Sequence, residues 1–169
     1  ELRNNFDSQN MFESICSFPS QIKESFDIEM DCYDKNIKNF QNISQNINSV
    51  FICGMGGSAI GGEFARIALL EKAKVPIIIN RSDIIPNWIN DKTLVIISSY
   101  SGNTEESIAA FDQAHDKGAQ IIGITTGGSL MERMHDLKMD VLAIPSGMQP
   151  RAALALSFVP VLYLLNKVN

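Results

Sequence analysis

From residue 50 onward, short runs rich in Ile and Val alternate with longer amphipathic stretches: VFICG (50–54), VPIIIN (75–80), TLVIISS (93–99), QIIGIT (120–125) and DVLAIP (140–145). These runs are apolar at consecutive rather than alternate positions, which predicts strands buried on both faces, as in a parallel sheet. The stretches between them have helical length, end at breakers such as Gly118 and follow caps such as Asn103 or Ser129. Residues 1–49 differ. They lack strand-like runs, and Phe26, Met30, Tyr33, Ile37, Phe40 and Ile43 recur mostly three or four apart, which predicts an amphipathic helical hairpin.

Five successive β-α units predict an α/β fold of the flavodoxin-like kind, a five-stranded parallel sheet of order 2-1-3-4-5 flanked by helices. The expected division is an N-terminal helical segment, 1–49, and an α/β body, 50–169. No internal repeat, low-complexity tract or Pro-rich linker marks a further boundary.

Two of the strand-to-helix connections carry candidate chemistry: GMGGSAIGG (54–62) after the first run and SSYSGNT (98–104) after the third. The first N–H groups of a helix lack intrahelical partners and sit at the positive end of its macrodipole, so anions settle there. Gly54, Gly56 and Gly57 let the backbone approach a ligand closely, and Ser58 adds a hydroxyl. Ser99, Ser101 and Thr104 offer three more around Gly102, just ahead of EESIAAFDQAHDKG. A phosphate monoester, with about two negative charges near neutral pH, can accept all these donors without a lysine. In the order 2-1-3-4-5 the first and third strands are neighbours at the switch point, so the two loops should meet there.

Composition narrows the ligand. The chain has 169 residues, 45% of them hydrophobic, enough for one well-packed domain. A net charge of −5 and no cluster of Lys and Arg argue against a nucleic-acid footprint, so the expected anion is small. Cys16, Cys32 and Cys53 are odd in number and show no CxxC spacing, which fits a reducing cytoplasm. The most apolar stretch, AALALSFVPVLYLL (152–165), is shorter than the about 18 residues a membrane span requires and reads as a buried or interface helix. A homodimer is expected from it.

Other readings of the same residues stay open. Gly54-x-Gly56-x-x-Ala59 satisfies a loose dinucleotide fingerprint. Asn80 and Arg81 stand where NAD recognition wants an acid, with Asp83 slightly later, so NAD is disfavoured while Arg81 leaves an NADP reading. Asn103 with Glu106 forms a capping-box variant that needs no ligand, and Glu105 and Glu106 would oppose an incoming anion. His115 and His135 fall late in helical stretches and read as structural. His135, Asp136 and Asp140 have no convincing metal spacing, so no metal is expected. Glu63 is expected to face solvent or pair with a basic neighbour. No nucleophile elbow supports hydrolase chemistry.

At GMGGSAIGG, SYSGNTEE and PSGMQPRAALALSF (145–158) the chain resembles the sugar isomerase (SIS) domain family, and most closely the first half of the bifunctional phosphoglucose/phosphomannose isomerases. The third motif is the most family-specific, and the likeness covers nearly all of residues 45–165. It implies a hexose 6-phosphate ligand whose phosphate is held at Gly56, Gly57, Ser58, Ser99, Ser101 and Thr104, with Arg151 reaching the sugar near the reacting carbons. A guanidinium at a helix mouth also suits a developing enediolate. The resemblance implies aldose–ketose isomerisation of glucose 6-phosphate or mannose 6-phosphate to fructose 6-phosphate without metal or organic cofactor. It further implies that the base glutamate, a histidine and a lysine lie in a second SIS half absent from this sequence. A stand-alone phosphosugar-sensing SIS domain is the other function class.

Overall fold

The computed structural model describes residues 6–8, 10–28 and 47–168. Two helices open it, α1 (Met11–Cys16) and α2 (Phe18–Ile28), followed by β1 (Ser49–Gly54), α3 (Gly56–Ala68), β2 (Ile77–Asn80) and β3 (Thr93–Ser98). Then come α4 (Glu105–Asp116), β4 (Gln120–Thr125), α5 (Gly128–Asp136), β5 (Asp140–Ala143) and α6 (Leu154–Val168). The strands form one sheet in the order β2-β1-β3-β4-β5, and every pairing is parallel. The fold class read from the apolar runs is the one observed.

The consecutive apolar positions have a simple reason. Every residue of β1 and β3 is buried, so both faces of each strand are covered. Val50, Ile52, Leu94, Ile96, Ile122 and Ile124 point to one core with α3 and α6, while Phe51, Cys53, Val95 and Ile97 point to a second core with Phe111 of α4 and Leu130 and Met134 of α5. Burying one such Ile side chain contributes roughly 1.5–3 kcal/mol. The edge strands β2 and β5 are short, four residues each, which limits the unpaired backbone available for edge-to-edge association.

The chain leaves β1 toward one face of the sheet and β3 toward the other, because α3 and α4 pack into opposite cores. Strand order therefore reverses between neighbouring strands, which opens a crevice at their carboxyl ends.

The predicted helical hairpin lies largely outside the described residues, and the final helix, read as buried or interfacial, is mostly buried. Of the six apolar positions behind the predicted hairpin only Phe26 lies among the described residues; it is exposed and borders a hollow with Leu69, Leu162 and Tyr163. Among the described side chains of α2 the buried ones are polar: Gln21 donates to the Ser14 carbonyl at 2.7 Å and to Ser17 Oγ at 2.9 Å, and Ser25 Oγ donates to the Gln21 carbonyl at 2.7 Å. Most of the apolar surface of α6 is covered within the domain. Ala155, Leu156, Val159, Val161, Leu164 and Leu165 are all buried, because α6 packs against α3 on the sheet and carries α2 on its outer side.

The α3–α6 contact is unusually close at Gly61, where an added Cβ would fall on Ser157 Oγ and 2.9 Å from the Phe158 nitrogen. Helix propensity alone makes Gly61→Ala favourable by about 0.5–1 kcal/mol, but overpacking costs typically 1–3 kcal/mol. The packing term is the larger, so Gly61→Ala should lower the thermal midpoint. An unchanged or higher midpoint in a calorimetric scan would show that the two helices are not held at this separation.

Candidate functional site

The two donor-rich loops leave neighbouring strand ends. Gly54, the last residue of β1, is the register partner of Ser98, the last residue of β3, so both helix starts open on the same crevice. At the first, Met55 is extended (φ −117°, ψ 154°) and Gly56 turns the chain into α3 at φ +51°. The amides of Gly56 and Gly57 have no acceptor among the described residues, whereas that of Ser58 donates to the Met55 carbonyl at 3.1 Å. Ser58 itself is buried.

In the second loop, Ser99 is buried and its Oγ lies 3.0 Å from Thr104 Oγ1, each hydroxyl able to donate to the other. The Ser99 amide donates to the Ile124 carbonyl at 3.0 Å, and Ser101 Oγ, on the surface, accepts the Asn103 amide at 3.2 Å. Gly102 has φ +69°, and a Cβ there would collide with the Gly127 carbonyl, so only glycine lets the loop close against its neighbour.

That neighbour, residues 125–130, braces the second loop. Thr126 donates to the Tyr100 carbonyl through its amide at 3.1 Å and through Oγ1 at 2.8 Å, and the Leu130 amide donates to the Gly102 carbonyl at 2.9 Å. Asn103 takes part in the same brace: its Oδ1 accepts the Ser129 amide at 3.0 Å. The expected capping box is therefore not formed. Thr104 occupies the N-cap of α4 and makes no side-chain cap bond, its Oγ1 being paired with Ser99 Oγ, while the Asn103 side chain serves the start of α5. Ser129 lies inside α5 rather than capping it, and Gly127 holds that position.

The third motif closes the crevice. Residues 145–151 lie over the start of α3, where a Cβ on Gly57 would come 2.9 Å from the Pro150 carbonyl oxygen and 3.9 Å from Arg151 Cα. The Gln149 carbonyl accepts the amides of Ala152 at 2.8 Å and Ala153 at 3.1 Å, forming the turn that launches α6. Arg151 stands in this turn, exposed, with no ion pair or hydrogen bond among the described residues. The structure thus gathers Gly56, Gly57, Ser58 and the backbone of Arg151 at one strand end, and Ser99, Ser101 and Thr104 at the adjoining one.

The remaining candidates fall elsewhere. Glu63 pairs with Arg66 at 2.6 Å, and this hydrogen bond holds its carboxyl below the ordinary range. Asn80 donates to the Ser82 carbonyl at 2.7 Å, while Arg81 and Asp83 are exposed beyond β2. His115 stacks on Phe111 with ring centres 6.3 Å apart, and His135 is exposed at the end of α5. No group of three or more His, Cys, Asp or Glu is placed to hold a metal among the described residues, and no described helix is long and apolar enough to cross a membrane. The sequence reading missed Tyr100 and Thr126. A third hydroxyl-and-glycine connection, TTGGS after β4, was the signal that could have found the brace.

This architecture is that of a doubly wound α/β domain whose donors converge at the switch point. The SIS domain family model matches residues 44–166, and the chain belongs to the SIS domain family. Over 159 residues it is 48% identical to a bifunctional phosphoglucose/phosphomannose isomerase of Caldicellulosiruptor bescii, a match covering 94% of this chain and 45% of the relative. An enzyme of the same name in Thermoplasma volcanium is 34% identical over 148 residues, covering 88% of this chain and 42% of the relative. The chain therefore spans less than half the length of these curated relatives. Among solved structures, tagatose-6-phosphate ketose/aldose isomerase from Escherichia coli superposes with a TM-score of 0.68 at 21% identity, over 89% of this chain and 46% of that one; this likeness concerns the fold.

Cys53 sits at the base of the crevice, buried in β1 next to Gly54. Burial pushes its thiol up to about 12, against a smaller opposing effect of the Asn80 side chain. A thiol is inert until ionised. In the native protein at pH 8.5, peptide-resolved alkylation should modify the exposed Cys16 and leave Cys53 unmodified until denaturant is added. Rapid native labelling of Cys53 would contradict this burial.

Proposed function

We propose that this chain is the phosphate-binding half of a phosphosugar aldose–ketose isomerase acting in the cytoplasm on glucose 6-phosphate, mannose 6-phosphate and fructose 6-phosphate. The observation that carries the reading is the register of Gly54 with Ser98, which sets two cation-poor, donor-rich helix starts side by side. On this reading the amides of Gly56 and Gly57 and the hydroxyls of Ser58, Ser99, Ser101 and Thr104 receive the 6-phosphate. Arg151 extends toward carbons 1 and 2.

Isomerisation removes a proton from carbon 2 of the open-chain aldose, passes through an enediolate and returns a proton to carbon 1. The guanidinium of Arg151 has no partner among the described residues and is suited to balance the enediolate oxygens. No residue assigned to this crevice is a general base. The base and the ring-opening acid are assigned to a second SIS half, so the 169-residue chain should bind substrate without turning it over. The chemistry needs neither metal nor organic cofactor, because the proton moves between neighbouring carbons of one substrate.

The test is isothermal titration with fructose 6-phosphate and, separately, with NADPH. Fructose 6-phosphate should bind and NADPH should not. Hydrogen bonds to a charged group contribute about 1.5–3 kcal/mol each, so the double variant Ser101→Ala/Thr104→Ala should weaken fructose 6-phosphate at least about tenfold. Unchanged affinity in that variant, or binding of NADPH alone, would overturn the assignment.

We also propose that a second SIS domain covers the outer face of α3. Ile60, Phe64 and Ile67 follow helical spacing and are 45%, 47% and 53% exposed, with Leu70 beyond them at 66%. Phe64 meets Phe158 of α6 edge-on, at 6.3 Å between ring centres, and the rest of the stripe stays half-exposed among the described residues. In the isolated chain a second copy should take that place. Sedimentation velocity should then show a dimer that Phe64→Glu converts to monomer, and a wild-type monomer at micromolar concentration would remove the idea.

A further inference from the structure

We infer that Tyr100 is a positioning residue: its phenol holds the Met148 amide and thereby sets where Arg151 stands relative to the phosphate loop. The inference rests on the site reading above and deepens it, because it says how the phosphate end and the reacting end of that site are joined.

Tyr100 lies in the second loop, between Ser99 and Ser101, and its backbone is fixed. The carbonyl accepts two hydrogen bonds from Thr126, at 3.1 Å from the amide and 2.8 Å from Oγ1. Its half-buried ring crosses toward the third loop and packs, with Met148, against the core shared by α3 and α6. There the phenol oxygen accepts the Met148 amide at 3.0 Å, a side-chain bond spanning 48 residues of sequence. Met148 is half-buried, and its amide finds this acceptor outside its own segment, which provides none.

The geometry from Met148 to Arg151 is compact. Gln149 holds the amides of Ala152 and Ala153, and the Pro150 carbonyl rests against Gly57. Arg151 is thus located from two sides, by Tyr100 through Met148 and by Gly57 through Pro150. Its side chain has no tether of its own among the described residues, so its reach depends on where this turn is held. Removing the phenol oxygen frees one side of the turn while leaving the donors of the phosphate loop in place.

A double-mutant cycle on the 169-residue chain tests this, with inorganic phosphate and fructose 6-phosphate as the two titrants. Tyr100→Phe keeps the ring and should leave the phosphate dissociation constant within about twofold, while weakening fructose 6-phosphate about fivefold, the size of one ordinary hydrogen bond. In an Arg151→Ala background the same change should have no further effect on fructose 6-phosphate, because coupling vanishes once the positioned group is gone. Amide exchange at Met148, read without ligand, should quicken in Tyr100→Phe. Additive losses would overturn the inference and indicate direct contact of the phenol with the sugar, and equal weakening of both titrants would overturn it as a general loss of structure. Unaltered exchange at Met148 would also overturn it. If wild-type chain binds neither titrant, the site reading itself fails. Binding with an additive cycle sinks only the role of Tyr100.

Discussion

The pairing of β1 with β3 is the constraint on which the rest of the molecule depends. Parallel neighbours in register end at the same level, and Gly54 beside Ser98 makes the two following helices begin together. Because α3 and α4 then diverge to opposite faces, the space between their N-termini cannot be filled by either helix. Amides without an acceptor among the described residues, and the positive ends of two macrodipoles, are left facing one crevice. The fully buried β1 and β3 fix that level, since a shift of one residue would carry apolar side chains from one core to the other.

Rigidity at the crevice comes from loops bonded to loops. The second loop is tied to the start of α5 through Gly102, Asn103 and Tyr100, and to the start of α6 through the phenol of Tyr100. These are few hydrogen bonds, each contributing about 1 kcal/mol on balance. Their effect is large because they join segments already anchored in the two cores. Gly61 adds to this from below, since the close approach of α6 to α3 brings Pro150 over Gly57.

Most of the fold was legible because the sheet is buried on both sides. Runs such as TLVIIS leave no polar face, and five of them at βα spacing admit few topologies. Legibility failed where one side chain chooses between a local and a distant partner. Asn103 reads as a cap for its own helix, yet its Oδ1 serves Ser129, brought near only by the β3–β4 pairing. Tyr100 reads as a spacer between two serines, and its function as an acceptor appears only when residue 148 is placed beside it. The final helix left two readings open for a related reason: apolar content cannot distinguish a face covered by α2 and α3 from a face awaiting a partner. The α3 stripe was hidden in the other direction, because Ile60, Phe64 and Ile67 look like core positions until the buried glycines and alanines of the opposite face are seen.

Cation economy gives the proposed division of the site a physical rationale. A phosphate six carbons into a hexose stays remote from the proton transfer and keeps its charge throughout, so whatever grips it binds substrate and transition state alike. A strong cationic grip there would tighten binding without accelerating chemistry. Amides and hydroxyls, with Glu105 and Glu106 nearby as opposing charges at the start of α4, give a more moderate hold. At the other end negative charge develops during the reaction, and a cation there discriminates between the two states. The proposed site, with Arg151, unpaired among the described residues, at that end and outside the proposed phosphate loops, has the distribution that differential binding favours.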